Sequence, residues 1–501
     1  MRLDPQVGAA LLQFTLWFPL VGAIAVAVLG SGDEGDPLRA WRWATGFAAI
    51  TFVVAAVLLL GFDPASADRY QFEVNLAWLP FNSNYRIAVD GLSMPLVVLN
   101  ALLSLSAIAG SWRIATRQAL YFSLFLILES AVAGVFMAVD LFLFFLFWEL
   151  ELIPMFLIIG VWGGPRREYA AFKFILYTVA GSAFMLVGIF LVYFFGPKSF
   201  GIPEVAGFDF AQYGRGIGSF GSIAFILLFL GFAVKVPIWP FHSWLPDAHV
   251  EAPTAGSVIL AGVLLKMGGY GLLRLCVSLL PQAAHDWQVL LVVLAVINSI
   301  YGAFVALAQT DLKKMIANSS ISHMGYVILG IASLTQVGFA GALLVMIAHG
   351  LYSGLLFSMV GLVYDRTHTR EIGMMRGLAL RMPFVASVFL VAGLASLGLP
   401  GLAGFVAEFT TFIGSYGVFP VATILCVCTI AITAGYILWR LGSVFFGPPM
   451  EEWASLGDAI WRERIAVGLL AAATVLVGVV PNVVGDVAAG GVAPIAAAVG
   501  R

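Results

Sequence analysis

Six side chains that bind and release protons lie where side chains rarely carry charge. Glu149, Lys235, Lys266, His323, His349 and Glu408 each fall inside or beside an apolar run long enough to cross a bilayer. A charged group at the bilayer centre costs roughly 2.5–3.5 kcal/mol on insertion scales, and intramembrane ionisable residues mark ion or proton paths by default. Carboxylate, amine and imidazole have reference pKa values near 4.3, 10.4 and 6.5, roughly, so the set spans donors and acceptors. The chemistry open to them is reversible proton transfer at depth.

Lys235 ends an apolar run and is followed by Pro237 and Pro240. Proline removes a backbone donor and breaks a helix. Freed backbone groups are tolerated in a membrane only where protein or a water-filled cavity meets them. A buried amine beside a broken helix therefore points to an ion path. Glu149, in FFLFWELELIP, is the expected partner whose approach would switch the lysine between holding and donating a proton. Glu151, two residues on, points to a different helix face and has a plainer reading as a hydrogen-bond partner. A permanent structural ion pair is the plain alternative for Lys235. Lys266 sits near the middle of ILAGVLLKMGGYGLL, too deep to snorkel. His323 and His349 suit a relay, although a lone histidine can equally be a satisfied core residue. Glu408 follows a second break, at GLASLGLPGLAGF with Pro400. Glu129 is a lesser candidate with no break beside it. Asp90 and Asp140 stand at helix starts and read as caps. Asp247 reads as a partner for loop cations or as a stabiliser of the tight connection between the seventh and eighth stretches. His242, His249, His285 and His368 read as interfacial or solvated, and Asp311, Lys313 and Lys314 as a cytoplasm-facing or subunit-contacting face.

The elements that must position these groups are membrane helices. Hydrophobic residues make up 61% of the 501 residues and charged residues 10%, with a mean hydropathy of +1.01. Soluble domains carry about 25% charged residues, so this composition gives an all-α polytopic membrane protein. Fourteen apolar stretches are counted, near 11–30, 43–62, 90–112, 118–138, 140–162, 172–195, 220–244, 254–275, 287–308, 313–333, 337–363, 383–416, 420–446 and 464–484. Polar intervals near 63–86 and 196–219 read as short loops, and 447–465 as an interfacial segment with Trp453 and Trp461 at the headgroups.

Of the 25 Lys and Arg, sixteen lie in loops after odd-numbered stretches. Seven, Arg2, Arg69, Arg86, Lys198, Arg215, Arg274 and Arg501, lie at the termini and in the other loops. The positive-inside rule then puts both termini outside, on the periplasmic side of a bacterial inner membrane. The breaks fall in the seventh and twelfth stretches, each with an ionisable residue. Stretches 4–8 and 9–13 thus form two inverted five-helix repeats with a site near the midplane. The chain divides into N-terminal helices (1–112), a first repeat (118–280), a second (287–446) and an interfacial segment with the last helix (447–501).

Several classes are excluded. A net charge of −2 offers no basic footprint for nucleic acid. Cys276, Cys426 and Cys428 form no C-x-x-C pair, so a disulfide framework or an iron–sulfur site is not expected. Neither glycine-rich nucleotide motif occurs, no oxygen-rich cation cage is evident, and no metal is expected.

The runs FFLFWELELIPMFLIIGVWGG, VKVPIWPFHSWLPDAHVEAPTAGSVILAGVLLKMGGYG, DLKKMIANSSISHMGYV and GLPGLAGFVAEF resemble the antiporter-like subunits of respiratory complex I, the NADH–quinone oxidoreductase. The resemblance covers nearly the whole chain. Glu408, where L- and N-type members carry lysine, matches the M-type branch. The resemblance implies a proton-translocating membrane-arm subunit. Glu149 and Lys235 would be its coupled pair, Lys266 and the two histidines its relay, and Glu408 its terminal site. It also implies no redox centre in this chain: NADH, flavin mononucleotide, iron–sulfur clusters and quinone belong to partner subunits. The neighbours it implies are L- and N-type paralogues, in a lipid bilayer. A cation/proton antiporter subunit, or a subunit of a membrane-bound hydrogenase or photosynthetic dehydrogenase complex, is the alternative.

Overall fold

The computed structural model describes residues 3–30, 36, 38–66 and 68–500; Arg2 and Arg501 of the charge census lie outside them. Two helices, α1 (Pro5–Leu29) and α2 (Arg39–Gly61), lead into a hairpin of β1 (Gln71–Leu79) and β2 (Ser83–Val89). Then follow α3 (Met94–Gly110), α4 (Gln118–Met137), α5 (Leu141–Trp162) and α6 (Arg167–Phe195). A first broken unit is α7 (Phe220–Lys235) with α8 (Trp244–Glu251). Next come α9 (Thr254–Val277), α10 (Gln288–Leu307), α11 (Leu312–Ala332) and α12 (Gln336–Thr367). A second broken unit is α13 (Pro383–Ser396) with α14 (Ala403–Tyr416), followed by α15 (Pro420–Phe445), α16 (Trp461–Val479) and α17 (Asn482–Ala498).

Among the described residues, ten helices are long and apolar enough to cross a membrane, or eleven if α16 and α17, bent by 71°, form one span. The shorter α3, α7 and α13 are apolar too. Every expected stretch falls on a helix, but a total of fourteen requires reading short and broken helices as spans. The interval near 63–86 is corrected: it is an antiparallel hairpin pairing Asn75 with Arg86 and Ala77 with Asn84. Its alternation of Gln71, Glu73 and Asn75 with Phe72, Val74 and Leu76 is a strand pattern. Asp140 caps α5 by accepting from Phe142 N and Leu143 N, both at 3.0 Å, and it also holds Ser83 Oγ and Asn84 N at 3.0 Å. The cap therefore ties the hairpin to the bundle.

Burial sorts the helices into layers. α9 and α11 are buried all round and α4 and α12 almost so, whereas α1, α2, α6, α10 and α15 bury fewer than half of their residues. A helix buried all round belongs inside the bundle, and Lys266, His323 and His349 lie on α9, α11 and α12. Trp453, expected at the headgroups, is instead buried and donates from Nε1 to Met374 O at 3.3 Å; Trp461 is exposed.

Small residues let the inner helices touch. A Cβ on Gly414 of α14 would lie 2.2 Å from Gly338 N of α12, and one on Gly341 would lie 2.5 Å from the Thr411 backbone. TM helix contacts rely on such close approach. Overpacking costs about 1–3 kcal/mol where neighbours can shift, and backbone cannot. Gly414→Val should therefore remove the chain from the membrane fraction, read by immunoblot, whereas Gly435→Val, with open space at its Cβ position, should leave its level unchanged.

Candidate functional site

The site has two clusters, each built at a helix break. In the first, the helical hydrogen bonding of α5 is interrupted at Glu151, where Pro154 has no N–H to donate to the carbonyl four residues back. Lys235, at the last turn of α7, forms its ion pair with Glu151. Both side chains are buried, and the ammonium lies 5.5 Å from the ring centroids of Trp148 and Phe174. Glu151, rather than the expected Glu149, pairs with Lys235 in this structure; Glu149 is only partly buried, and its Oε1 has no hydrogen-bond partner. Two residues apart on a helix, the carboxylates point to different faces, and the second is the one turned to α7.

The unwound backbone after Lys235 is satisfied from α10. Asn298 Oδ1 accepts from Trp239 N at 2.7 Å and its Nδ2 donates to Pro237 O at 3.1 Å. Trp244 Nε1 donates to Val234 O at 2.9 Å. Sequence reasoning missed Asn298; its signal was an amide in the apolar run VVLAVINSIYGAF. Asn298→Leu orphans two backbone groups, of which the buried Pro237 carbonyl is worth about 1–3 kcal/mol when left unpaired. It should lower the thermal midpoint of the detergent-solubilised protein by several degrees, measured by loss of monodisperse chromatographic signal.

The second cluster runs from α9 to α14. Lys266 is fully buried and bonds Ala261 O and His349 Nδ1, the latter at 2.6 Å. A π-helical turn at Leu260–Leu264 precedes it, a distortion frequent at functional sites. The His349 and His323 rings are 5.8 Å apart, and each packs edge-on against Tyr352, at 5.3 and 5.6 Å. His323 Nδ1 lies 3.4 Å from Glu408 Oε1, and its Nε2 lies 3.2 Å from Ser396 Oγ at the end of α13. Gly398 in the break has φ +79°, and a Cβ there would stand 2.7 Å from Glu408 Oε2. Glycine is required there by conformation and by space. The order Lys266, His349, His323, Glu408 is thus a spatial sequence of titratable groups. Imidazoles can take a proton on one nitrogen and release it from the other.

The other expectations divide. Asp247 pairs with Lys173 at 2.7 Å, a cation within α6 rather than in a loop, and stands 3.8 Å from Arg166 just before that helix. Glu129 is buried with both carboxyl oxygens unpartnered. His249, expected near solvent, is fully buried, stacked 4.6 Å from Phe357, with both ring nitrogens unpartnered. α8 is polar in sequence yet packed between α6 and α11. His242 is also buried, 3.3 Å from Tyr301 Oη, while His285 is half-buried and His368 exposed. Lys313, expected on a solvated face, is buried with Nζ 2.6 Å from Ala252 O. Arg274, expected in a loop, is buried in the last turns of α9. Among the described residues, no group of three or more His, Cys, Asp or Glu is arranged to hold a metal ion.

Residues 138–433, which span both breaks and Glu408, match the family described as NADH:quinone oxidoreductase/Mrp antiporter, transmembrane. The chain belongs to that family. Subunit M of the NADH-quinone oxidoreductase of Rhodobacter capsulatus is 43% identical over 486 residues, covering 95% of this chain and 94% of that protein. A chain of respiratory complex I from Thermus thermophilus matches with TM-score 0.87 and 29% identity, over 98% of this chain and 100% of the other. A chain of the Mrp complex from Dietzia sp. DQ12-45-1b reaches TM-score 0.86 at 19% identity, over 99% and 100% of the two chains. That last likeness concerns the fold alone. The NADH:quinone oxidoreductase/Mrp antiporter fold thus places both breaks and all six expected residues within or beside one helical bundle.

Proposed function

We propose that the chain is the M-type membrane-arm subunit of a proton-translocating NADH–quinone oxidoreductase. The single observation that carries this is the buried sequence Lys266, His349, His323, Glu408, whose 2.6 and 3.4 Å end contacts link the two halves of the bundle. In this reading Glu151 and Lys235 are the input pair. Separation of the pair changes the field at the relay, and a proton then passes from Lys266 through the imidazoles to Glu408. The redox chemistry occurs in partner subunits, with NADH, flavin, iron–sulfur clusters and quinone there and no redox centre in this chain. The partners are L- and N-type paralogues on either side. The membrane is a bacterial inner membrane, with both termini outward, and the bundle comprises two inverted repeats, 118–280 and 287–446, as the paired breaks suggest.

An antiporter subunit is the second reading, favoured by the family description, which names the Mrp antiporter beside the oxidoreductase. The 43% identity to a subunit M favours the redox complex. Inverted membrane vesicles distinguish them. NADH should quench a ΔpH dye without any added cation gradient, and deletion of the chain should abolish that quenching. If deletion spares NADH-driven quenching and abolishes Na⁺-driven proton exchange, the antiporter reading replaces this one.

A further inference from the structure

One charged cluster lies outside the relay. Lys266, Tyr270 and Arg274 are spaced four apart on α9 and so share one face. The Lys266 amine leans back towards the helix N-terminus, bonding Ala261 O, as helical side chains do. Arg274 occupies the other end of that face. Its Nη2 contacts Asp90 Oδ1 at 2.5 Å, and its Nε donates to Tyr270 Oη at 3.2 Å. Tyr270 in turn donates to Phe136 O at 3.2 Å. Arg274 and Asp90 are both buried. Arg69 Nε stands 3.6 Å from the other Asp90 oxygen.

The cluster is incompletely satisfied. Arg274 Nη1, Asp90 Oδ2, and Arg69 Nε and Nη2 are buried without hydrogen-bond partners. Asp90 and Arg69 also line a cavity of about 120 Å³, together with Asp68 and Gln71. A cavity that size, with charged side chains in its lining, has room for water. A second π-helical turn, Leu272–Val277, surrounds Arg274. A buried ion pair is weak evidence for stability, since apolar replacements of similar volume are often as stable. A buried pair with orphaned atoms beside a polar cavity calls for another role.

We propose that the Arg274–Asp90 pair is a closed gate between Lys266 and the water at the β1–β2 hairpin end of the bundle, which forces the Lys266 proton sideways to His349. Arginine keeps its charge at any working pH, so its guanidinium repels a proton approaching along this face. Asp90 Oδ1 also accepts from Leu92 N and Ser93 N, both at 3.1 Å, so the carboxyl is fixed by its own turn and in turn keeps the guanidinium in place. This inference rests on the proposed relay through Lys266.

The test is passive proton conductance of the assembled complex in liposomes, without NADH, read as decay of an imposed ΔpH. Arg274→Gln should speed the decay several-fold, and adding Lys266→Met should return it to the wild-type rate. Arg69→Gln, at the cavity and partly exposed, should give a smaller rise, and carries the test if Arg274→Gln does not assemble. Wild-type decay in the assembled variants overturns the gate, as does a leak that Lys266→Met leaves unchanged. Lys266→Met is also measured alone with NADH. If it abolishes pumping while Arg274→Gln stays tight, the relay stands and the gate falls.

Discussion

Lys235→Met should lower NADH–quinone turnover and NADH-driven proton uptake together, each by at least about tenfold, about 1.4 kcal/mol in barrier terms. The reason is the buried pair with Glu151. Removing one partner of such a pair costs about 3–5 kcal/mol, because a charge remains uncompensated. The orphaned carboxyl can escape most of that cost by taking up a proton. The single variant therefore tests coupling and stability at once, and the double variant separates them. Lys235→Met with Glu151→Gln leaves no buried charge at the site, so chain abundance in the membrane should recover while turnover does not. Glu151→Gln alone should resemble Lys235→Met in turnover. Glu149→Gln should have the smaller effect of the two carboxamides. A larger loss at Glu149 would overturn the assignment of Glu151 as the lysine's partner. Turnover that recovers with abundance in the double variant would reduce the pair to a structural ion pair.

That contrast marks where the sequence is legible. A lysine in an apolar run is conspicuous because the surrounding residues carry almost no charge, so Lys235 and Lys266 stand out. The breaks are equally plain, since Pro237 and Pro240, and Pro400 with its glycines, interrupt otherwise continuous runs. Partner choice is not legible. Glu149 and Glu151 differ by two positions and so point to different faces, and which face meets α7 is set by how the two helices pack. Polarity also misleads in two ways. The polar-looking α8, WLPDAHVE, is packed inside the protein, so His249 is a core residue and not a solvated one. The interval around Arg86 looks like a loop because strand alternation places polar residues at every second position, and Arg86 reaches Glu73 at 2.6 Å and Glu204 at 2.9 Å. Asn298 and Arg274 escape a reading of the sequence for a shared reason. Their roles arise from long-range contacts, to Pro237 in one case and Asp90 in the other, which no local pattern encodes.

Glu408→Gln should abolish NADH-driven proton uptake, and it should do so with the bundle intact. The amide has nearly the same volume and can occupy the same place beside His323, so packing against Gly398 is undisturbed. What it loses is the ability to take a proton from the imidazole 3.4 Å away. Glu408→Asp separates acidity from reach. It keeps a carboxylate but retracts it by about 1.5 Å, one carbon–carbon bond, beyond direct contact with His323. Transfer would then need a bridging water, so uptake should fall to an intermediate level. Glu408→Lys tests the site from the other side. It supplies the titratable amine that the resemblance assigns to L- and N-type members at this position, but places it beside His323. Two groups that each become cationic on protonation disfavour each other's charge, so uptake should exceed that of the amide and remain below wild type. The ranking glutamate, then aspartate or lysine, then glutamine is what a terminal proton acceptor requires. Full uptake in Glu408→Gln would mean that the proton leaves the relay before α14, and the path from Lys266 would then end at His323.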